Sequence, residues 1–378
     1  MRQDEGLKGK MKILFVATSY PENACDWRGR FVERLLNALS GKKVLEIFTW
    51  APFGEHPQNV KFDLTARDAT WLKKLSDQGG IAHQIKSGPL KAAKWASELL
   101  VRLNCAFKRN HNADIYHINW LQNALSVPND RKPLLISVLG SDLKLLRFPG
   151  MKQALQYQFR RHPVVLAPNN NWMTPLLEQH FGHLARIRPV KFGIDEDFYK
   201  ITRNVSSNPQ IWLVVSRLTH DKLGPLFEWG KDCFGPDDQL HLLGPNQEGV
   251  QAPAWVNYHG PCGLDDLKRC WFPRISGLVS LSAHSEGMPQ VILEAMAAGV
   301  PVIASPIDAH RDVIRHGENG WLAGSRDQFA SGLQWLSGGN VNMKAGNAAR
   351  EAIRSSFGTW DDAAERYVEI YEELSKPS

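Results

Sequence analysis

Glu286 lies in a loop suited to an anion, and Glu294 about two turns down the helix expected to follow it. The stretch from His284 to Ala304 reads as loop, helix, turn and strand. Gly287 leaves room for a ligand to approach the backbone, and Pro289 suits a first helical position, where its missing N–H has no partner anyway. The helix then turns its unpaired N–H groups and positive dipole end toward the loop, which suits phosphate. A carboxylate beside such a site binds neutral hydroxyls instead, as a bidentate acceptor. Ribose and sugar hydroxyls are the natural ligands. Taken alone, the loop is read equally well as Glu286 capping a helix and Glu294 solvated on it.

Two further residues sit where strands are expected to end. His117 closes the apolar run 114–118, and doubly wound sheets hold ligands at the carboxyl ends of their strands. The competing reading is a packed histidine. Asp142 follows Gly140 and Ser141, and either caps the next helix or faces a ligand.

These residues need a scaffold, and the apolar runs supply one. Strands are expected at 12–17, 44–49, 114–118, 133–138 and 164–167, and again at 211–216, 239–243, 256–259, 277–281 and 301–304. Helical patterns lie between them, including 29–39 and 90–109. Continuous apolar strands alternating with helices imply parallel sheets covered on both faces. Two such series imply an α/β chain of two Rossmann-like doubly wound domains. Ser206-Ser-Asn-Pro209 marks a polar, turn-rich break between them. Domains are expected at 1–193 and 194–357, with 358–378 as an amphipathic C-terminal helix crossing back to the first.

At 378 residues the chain is long enough for two ordinary cores. Five scattered cysteines argue against a disulfide scaffold or zinc module, and no run approaches the ~18 apolar residues of a membrane span. A cytoplasmic protein is expected. The net charge of +6 divides unevenly, with 29 Lys+Arg against 16 Asp+Glu in residues 1–195 and 16 against 23 in the rest. The first half is thus +13 and the second −7, so the first is expected to meet something anionic.

The pattern Glu-x7-Glu in Glu286-Gly-Met-Pro-Gln-Val-Ile-Leu-Glu294, continuing through Ala-Met-Ala-Ala-Gly-Val-Pro, resembles the donor-site signature of glycosyltransferase family 4 (glycosyl transferases group 1). Arg217 to Gly224, Gln239 to Pro245, Val256 to Gly260, Arg315 to Leu322, His117-x-x-Trp120, Gly140-Ser-Asp142 and Lys191 to Asp195 resemble further landmarks of that family, in order. The resemblance implies the GT-B fold, two Rossmann-like domains facing an interdomain cleft, and a retaining hexosyltransferase. Glu294 would hold the ribose hydroxyls. Glu286 with the Gly287 and Met288 backbone would hold the donor hexose, beside Gln290, Val291, Gly260, Gly29 and Asp142. Arg217 and Lys222 would clamp the diphosphate, where fixed cations stabilise the charge of the leaving group. His117 would stand near the donor sugar.

The resemblance implies a UDP- or GDP-sugar donor, no metal and no other cofactor, and a glycan or lipid-linked acceptor of cell-surface polysaccharide or lipopolysaccharide synthesis. Asp195-Glu-Asp197 has a metal-binding form but lies in an interdomain segment and is read as a decoy. Where the family often has a Gly-Gly pair, only Gly29 stands here, between Arg28 and Arg30. The basic residues Lys86, Lys91, Lys94, Arg102, Lys108 and Arg109, and then Lys144, Arg147, Lys152, Arg160 and Arg161, alternate with apolar ones. They are expected either to dock the first domain on the inner face of an anionic membrane or to flank buried helix stripes. Nucleic acid is not expected, since no motif of a nucleic-acid module is present. A nucleotide-sugar epimerase and a non-catalytic sugar-nucleotide-binding protein are the alternatives.

Overall fold

The computed structural model describes residues 9–23, 26, 28–52, 54–78, 88–205, 208–283 and 287–376. The chain divides into two compact units. The first holds 1–169, 173–190 and 360–378, and the second holds 170–172 and 191–359.

The first unit is a parallel sheet of β1 (Met11–Val16), β2 (Leu45–Trp50), β3 (Val60–Phe62), β4 (Ile115–Asn119), β5 (Leu134–Val138), β6 (Val164–Pro168) and β7 (Arg186–Ile187). Their order is β3-β2-β1-β4-β5-β6-β7. Every residue of β4, β5 and β6 is buried, which is why these strands read as unbroken apolar runs. Helices α1 (Arg30–Ser40), α2 (Ala66–Asp77), α3 (Pro89–Arg109), α4 (Met151–Phe159) and α5 (Thr174–Phe181) join them.

The second unit repeats the plan with β8 (Gln210–Val215), β9 (Asp238–Leu243), β10 (Val256–Gly260), β11 (Gly277–Ser280), β12 (Val302–Ala304) and β13 (Gly320–Leu322), in the order β10-β9-β8-β11-β12-β13. Along β8, Trp212 and Val214 pack on one side of the sheet and Leu213 on the other. Successive strand side chains alternate faces, so both faces are covered. Its longer helices are α6 (Gln290–Ala297), α7 (Arg326–Ser337) and α8 (Gly339–Ser356). In both sheets the order reverses at one point, between β1 and β4 and between β8 and β11. The carboxyl ends of those strand pairs are where such sheets hold ligands.

The C-terminal helix, Trp360–Leu374, belongs to the first unit. It buries Trp360, Tyr367, Ile370, Tyr371 and Leu374 and packs against α1. Its outer face is acidic and meets basic residues of that unit: Lys42 with Glu365 at 3.2 Å and Arg188 with Glu369 at 3.0 Å. The helix and the residues after it bring 2 Lys+Arg and 6 Asp+Glu, so the first unit carries +9 and the second −3. The charge asymmetry read along the sequence is therefore smaller in space.

Candidate functional site

The second unit gathers its chemistry at the carboxyl ends of β8 and β11. Beyond β8, Thr219 caps the short helix His220–Leu223 by accepting the Lys222 N–H at 3.2 Å. The Leu218 N–H donates to the Pro245 carbonyl at 2.9 Å, and the His220 N–H to the Glu248 carboxylate at 2.9 Å. Arg217 Nη1 lies 3.4 Å from Gln247 Oε1. These bonds lay the Arg217–Lys222 segment across the end of β9. Gly244 makes this possible: at φ +138°, a Cβ there would stand 1.8 Å from the Ser216 carbonyl oxygen. Its N–H donates to the carbonyl of Gly260 at 2.8 Å, which extends the bracing to the end of β10.

The same segment is fastened to the loop after β11. The Ala283 N–H donates to the Asp221 carbonyl at 2.9 Å. Gly224, at φ +54°, approaches so closely that a Cβ would meet the Leu281 carbonyl oxygen at 2.1 Å. Ser305 Oγ donates to the Ser282 carbonyl at 2.5 Å, and His310 Nδ1 to the Ser305 carbonyl at 2.8 Å. Arg217 and Lys222 are thus carried on a segment whose backbone is bonded to the loop leading into α6.

That loop contains Glu286, which with His284 and Ser285 lies outside the described residues. Gly287 follows. Its carbonyl accepts two bonds, from Asn170 Nδ2 at 3.0 Å and Trp172 Nε1 at 3.2 Å. Sequence reasoning assigned no role to Asn170 and Trp172, which lie 117 and 115 residues from Gly287. Pro289 is the N-cap of α6, which begins at Gln290. Met288 and Val291 are half-buried against the core, and Gln290 is half-buried beside them. Glu294, one turn into the helix, is only 6% exposed among Ile292, Leu293, Ala295 and Met296.

The far end of α6 is held as firmly. Arg350 donates to the Ala297 carbonyl at 3.1 Å and the Ala298 carbonyl at 2.7 Å, and Arg203 to the Gly299 carbonyl at 2.8 Å. Burial, with Arg350 beside it, pulls the Arg203 guanidinium down to about 10. Two cations on the negative end of a helix complement its dipole and fix its axis. The positive end is then fixed toward the Gly287 loop. Glycine backbone, two cations and an inward carboxylate at one sheet edge can bind a diphosphate that carries a polyol.

The first unit places its expected site residues differently. His117 lies in the middle of β4 and is 0% exposed. One ring nitrogen meets Tyr371 Oη at 2.5 Å and the other Ser137 Oγ at 2.9 Å. Burial lowers its pKa to about 3, so the ring is neutral. The expectation that it faces a donor sugar is corrected: it joins the C-terminal helix to the sheet. Asp142 is 2% exposed, and its carboxylate accepts the Leu121 N–H at 3.0 Å and the Leu139 N–H at 3.1 Å. It too is corrected from a donor contact to an internal brace between the loops after β4 and β5. Gly29 is the N-cap of α1, and a Cβ on it would meet the Ser19 backbone at 2.6 Å. Its close approach is to the chain's own loop. Arg28 pairs with Asp26 at 3.0 Å and Arg30 with Glu33 at 2.7 Å.

The basic helix α3 buries Leu99, Leu103 and Phe107. Arg102 pairs with Asp68 at 2.8 Å and Arg109 with Asp63 at 3.0 Å. Its apolar stripe is core, so α3 is corrected as a membrane face; Lys86 lies outside the described residues. The segment 144–161 keeps Phe148 (47%) and Tyr157 (55%) exposed among its cations. Among the described residues no helix is long and apolar enough to cross a membrane. Asp195 N-caps a short helix, and Lys268 pairs with Asp195 at 3.5 Å and Asp197 at 3.8 Å.

Residues 233–338 match the family described as glycosyl transferases group 1. Among curated proteins, a phosphatidyl-myo-inositol mannosyltransferase of Mycobacterium leprae is 40% identical over 154 residues, which is 38% of this chain and 40% of that protein. A D-inositol 3-phosphate glycosyltransferase of Geodermatophilus obscurus is 27% identical over 154 residues, 37% of this chain and 34% of that one. The chain thus matches 34–40% of the length of these two relatives. Among solved structures, a sucrose-phosphate synthase of Thermosynechococcus elongatus superposes with a TM-score of 0.71 at 16% identity, covering 97% of this chain and 99% of that one. The Anabaena protein HepE in complex with UDP-glucose gives 0.64 at 17%, covering 96% and 100%. The two-unit Rossmann fold expected from the sequence is the fold of these structures, GT-B.

Proposed function

For a chain whose residues 233–338 are those of glycosyl transferases group 1, we propose the activity of a retaining family 4 hexosyltransferase. It moves a hexose from a nucleoside-diphosphate sugar to a hydroxyl of a glycan or lipid-linked acceptor in cell-surface polysaccharide or lipopolysaccharide synthesis. The observation that carries this is the bond from the Ala283 N–H to the Asp221 carbonyl at 2.9 Å. It couples the Arg217–Lys222 segment to the loop that opens α6 at one topological switch point. UDP is the favoured nucleotide, as in HepE, and the mannosyltransferase relative supports a hexose.

In this reading Arg217 and Lys222 hold the diphosphate, and Glu294 accepts the ribose hydroxyls. The Gly287–Met288 backbone and Glu286 hold the hexose. As the bond from C1 to the phosphate oxygen breaks, charge grows on the leaving diphosphate, and the two cations stabilise it. The acceptor oxygen bonds C1 from the same face, and its proton passes to the leaving phosphate oxygen. No residue at the described edge is set as a covalent nucleophile, and no metal is needed for these steps. Contact with an anionic membrane is assigned to residues 144–161, whose Phe148 and Tyr157 stand exposed beside Lys144, Arg147 and Arg160.

The test is incubation with UDP-glucose, UDP-galactose, UDP-N-acetylglucosamine and GDP-mannose, with and without a glycoside acceptor. Nucleotide release and the anomeric coupling of the product are followed by proton NMR. An α-linked product from one donor is expected. A donor epimerised without acceptor, an inverted product, or no turnover of any donor contradicts the proposal.

A further inference from the structure

The first unit has a ligand edge of its own, at the carboxyl ends of β1 and β4, and one residue there is held at a conformational cost. Trp120, the residue after β4, has φ +67° and ψ +127°. Only one other described non-glycine residue, Arg131, has positive φ. A tryptophan that serves packing needs no such geometry: Trp50 and Trp212 are 0% exposed and lie within strands of ordinary backbone. A non-glycine residue in this region is strained and persists only where its surroundings over-determine it.

Here they do. The Trp120 N–H donates to the Ser137 carbonyl at 3.0 Å, and the Trp120 carbonyl accepts the Asn123 N–H at 3.1 Å. The next N–H, that of Leu121, is taken by the buried Asp142 carboxylate, whose burial raises its pKa against the pull of its backbone donors. Asn119 and Asn123 are 0% exposed, and their side-chain oxygens find no donor among the described residues. Backbone strain, a buried carboxylate and two orphan amide oxygens lie together within this one loop. Their common effect is to present one half-buried indole at the sheet's ligand edge. Phe31, in the first turn of α1, supports it edge-on, with ring centroids 5.9 Å apart at 69°.

We propose that Trp120 is a binding platform for a pyranose ring of the acceptor. The proposal rests on the glycosyltransferase reading and narrows its acceptor class to a molecule that already carries a sugar. An indole face offers a large, rigid apolar surface to the C–H face of a pyranose. The ring's hydroxyls stay at its rim, free to meet polar groups or the donor. A platform fixed at both peptide bonds positions the ring without spending rotamer entropy on binding.

The experiment compares wild type with Trp120→Gly, which adopts positive φ without strain, and Trp120→Phe, which keeps a smaller ring. Transfer is measured to methyl glucoside, methyl galactoside and methyl mannoside, with 1-octanol as a hydroxyl acceptor that lacks a sugar. The UDP-induced thermal shift reports an intact fold and donor site in each variant. The expected result is transfer to at least one methyl glycoside, with acceptor KM raised at least ~10-fold in Trp120→Gly and less in Trp120→Phe, while the UDP shift persists. Wild-type acceptor KM in Trp120→Gly overturns the platform. Transfer to octanol but to no glycoside also overturns it and leaves the glycosyltransferase reading standing. If wild type shows neither a nucleotide shift nor turnover of any donor, the glycosyltransferase reading fails first.

Discussion

The two sheets share the order of six strands and one kind of switch point, the first adding β7 at its edge, yet they use their polar residues in opposite ways. At the first, His117 and Asp142 turn inward and hold the unit together. At the second, Arg217 and Lys222 ride on a loop beyond the strand end, braced through backbone bonds and close glycines. For His117 and Arg217 the difference is one of register. A side chain within a strand of a doubly covered sheet is buried on either face. Arg217, two positions past the end of β8, is half-buried and clear of the sheet. A histidine and an arginine at similar topological places therefore have different careers.

Changes at the second edge should break this contrast most severely. Gly244→Ala forces a Cβ to 1.8 Å from the Ser216 carbonyl, and no flexible side chain is there to yield. We expect a loss of about 3–5 kcal/mol in denaturant unfolding of that unit. Lys222→Ala should leave the fold intact and lower kcat/KM ~100-fold, about 2.7 kcal/mol of transition-state stabilisation. Steady-state kinetics on the accepted donor checks it. At the first edge, Asp142→Asn turns an amide donor toward the N–H groups of Leu121 and Leu139. It should cost about 1–3 kcal/mol in thermal unfolding and leave nucleotide binding unchanged.

The pH dependence of the first unit tests the buried, neutral His117 directly. The His117 pKa is about 3 in the folded chain against 6.5 when free. Between those values the unfolded chain binds the extra proton, so this contribution is full above about pH 6.5 and is lost as pH falls toward 3. The slope reaches about 1.4 kcal/mol per pH unit. His117→Asn should flatten the fall of Tm over that range, relative to wild type. An unchanged slope would show that the histidine is not buried as a neutral ring.

The sequence carried the scaffold well because both sheets are doubly covered, so most of the strands stood out as apolar runs. The three strands it missed, β3, β7 and β13, are two or three residues long and too short to show a pattern. The loop ahead of α6 was legible for a different reason. Gly287, Pro289 and Glu294 are local in sequence, and their placement follows from one loop and one helix. The Asn170 and Trp172 clamp on Gly287 was not legible, since its partners lie 117 and 115 residues away. His117 misled because its fate depends on Tyr371, 254 residues on, and on β4 running one residue further than its apolar run. The charge split misled similarly: the acidic helix that tempers the basic half is the last element of the chain.

In the proposed function, nucleotide binds at the second unit's edge through Glu294, with no help from His117 or Asp142. Thermal shift with UDP at ~100 times its dissociation constant should stabilise wild type by ~2.7 kcal/mol. Glu294→Ala should abolish this shift, while His117→Asn and Asp142→Asn keep it. A full shift in Glu294→Ala, or its loss in His117→Asn with the fold intact, would contradict it.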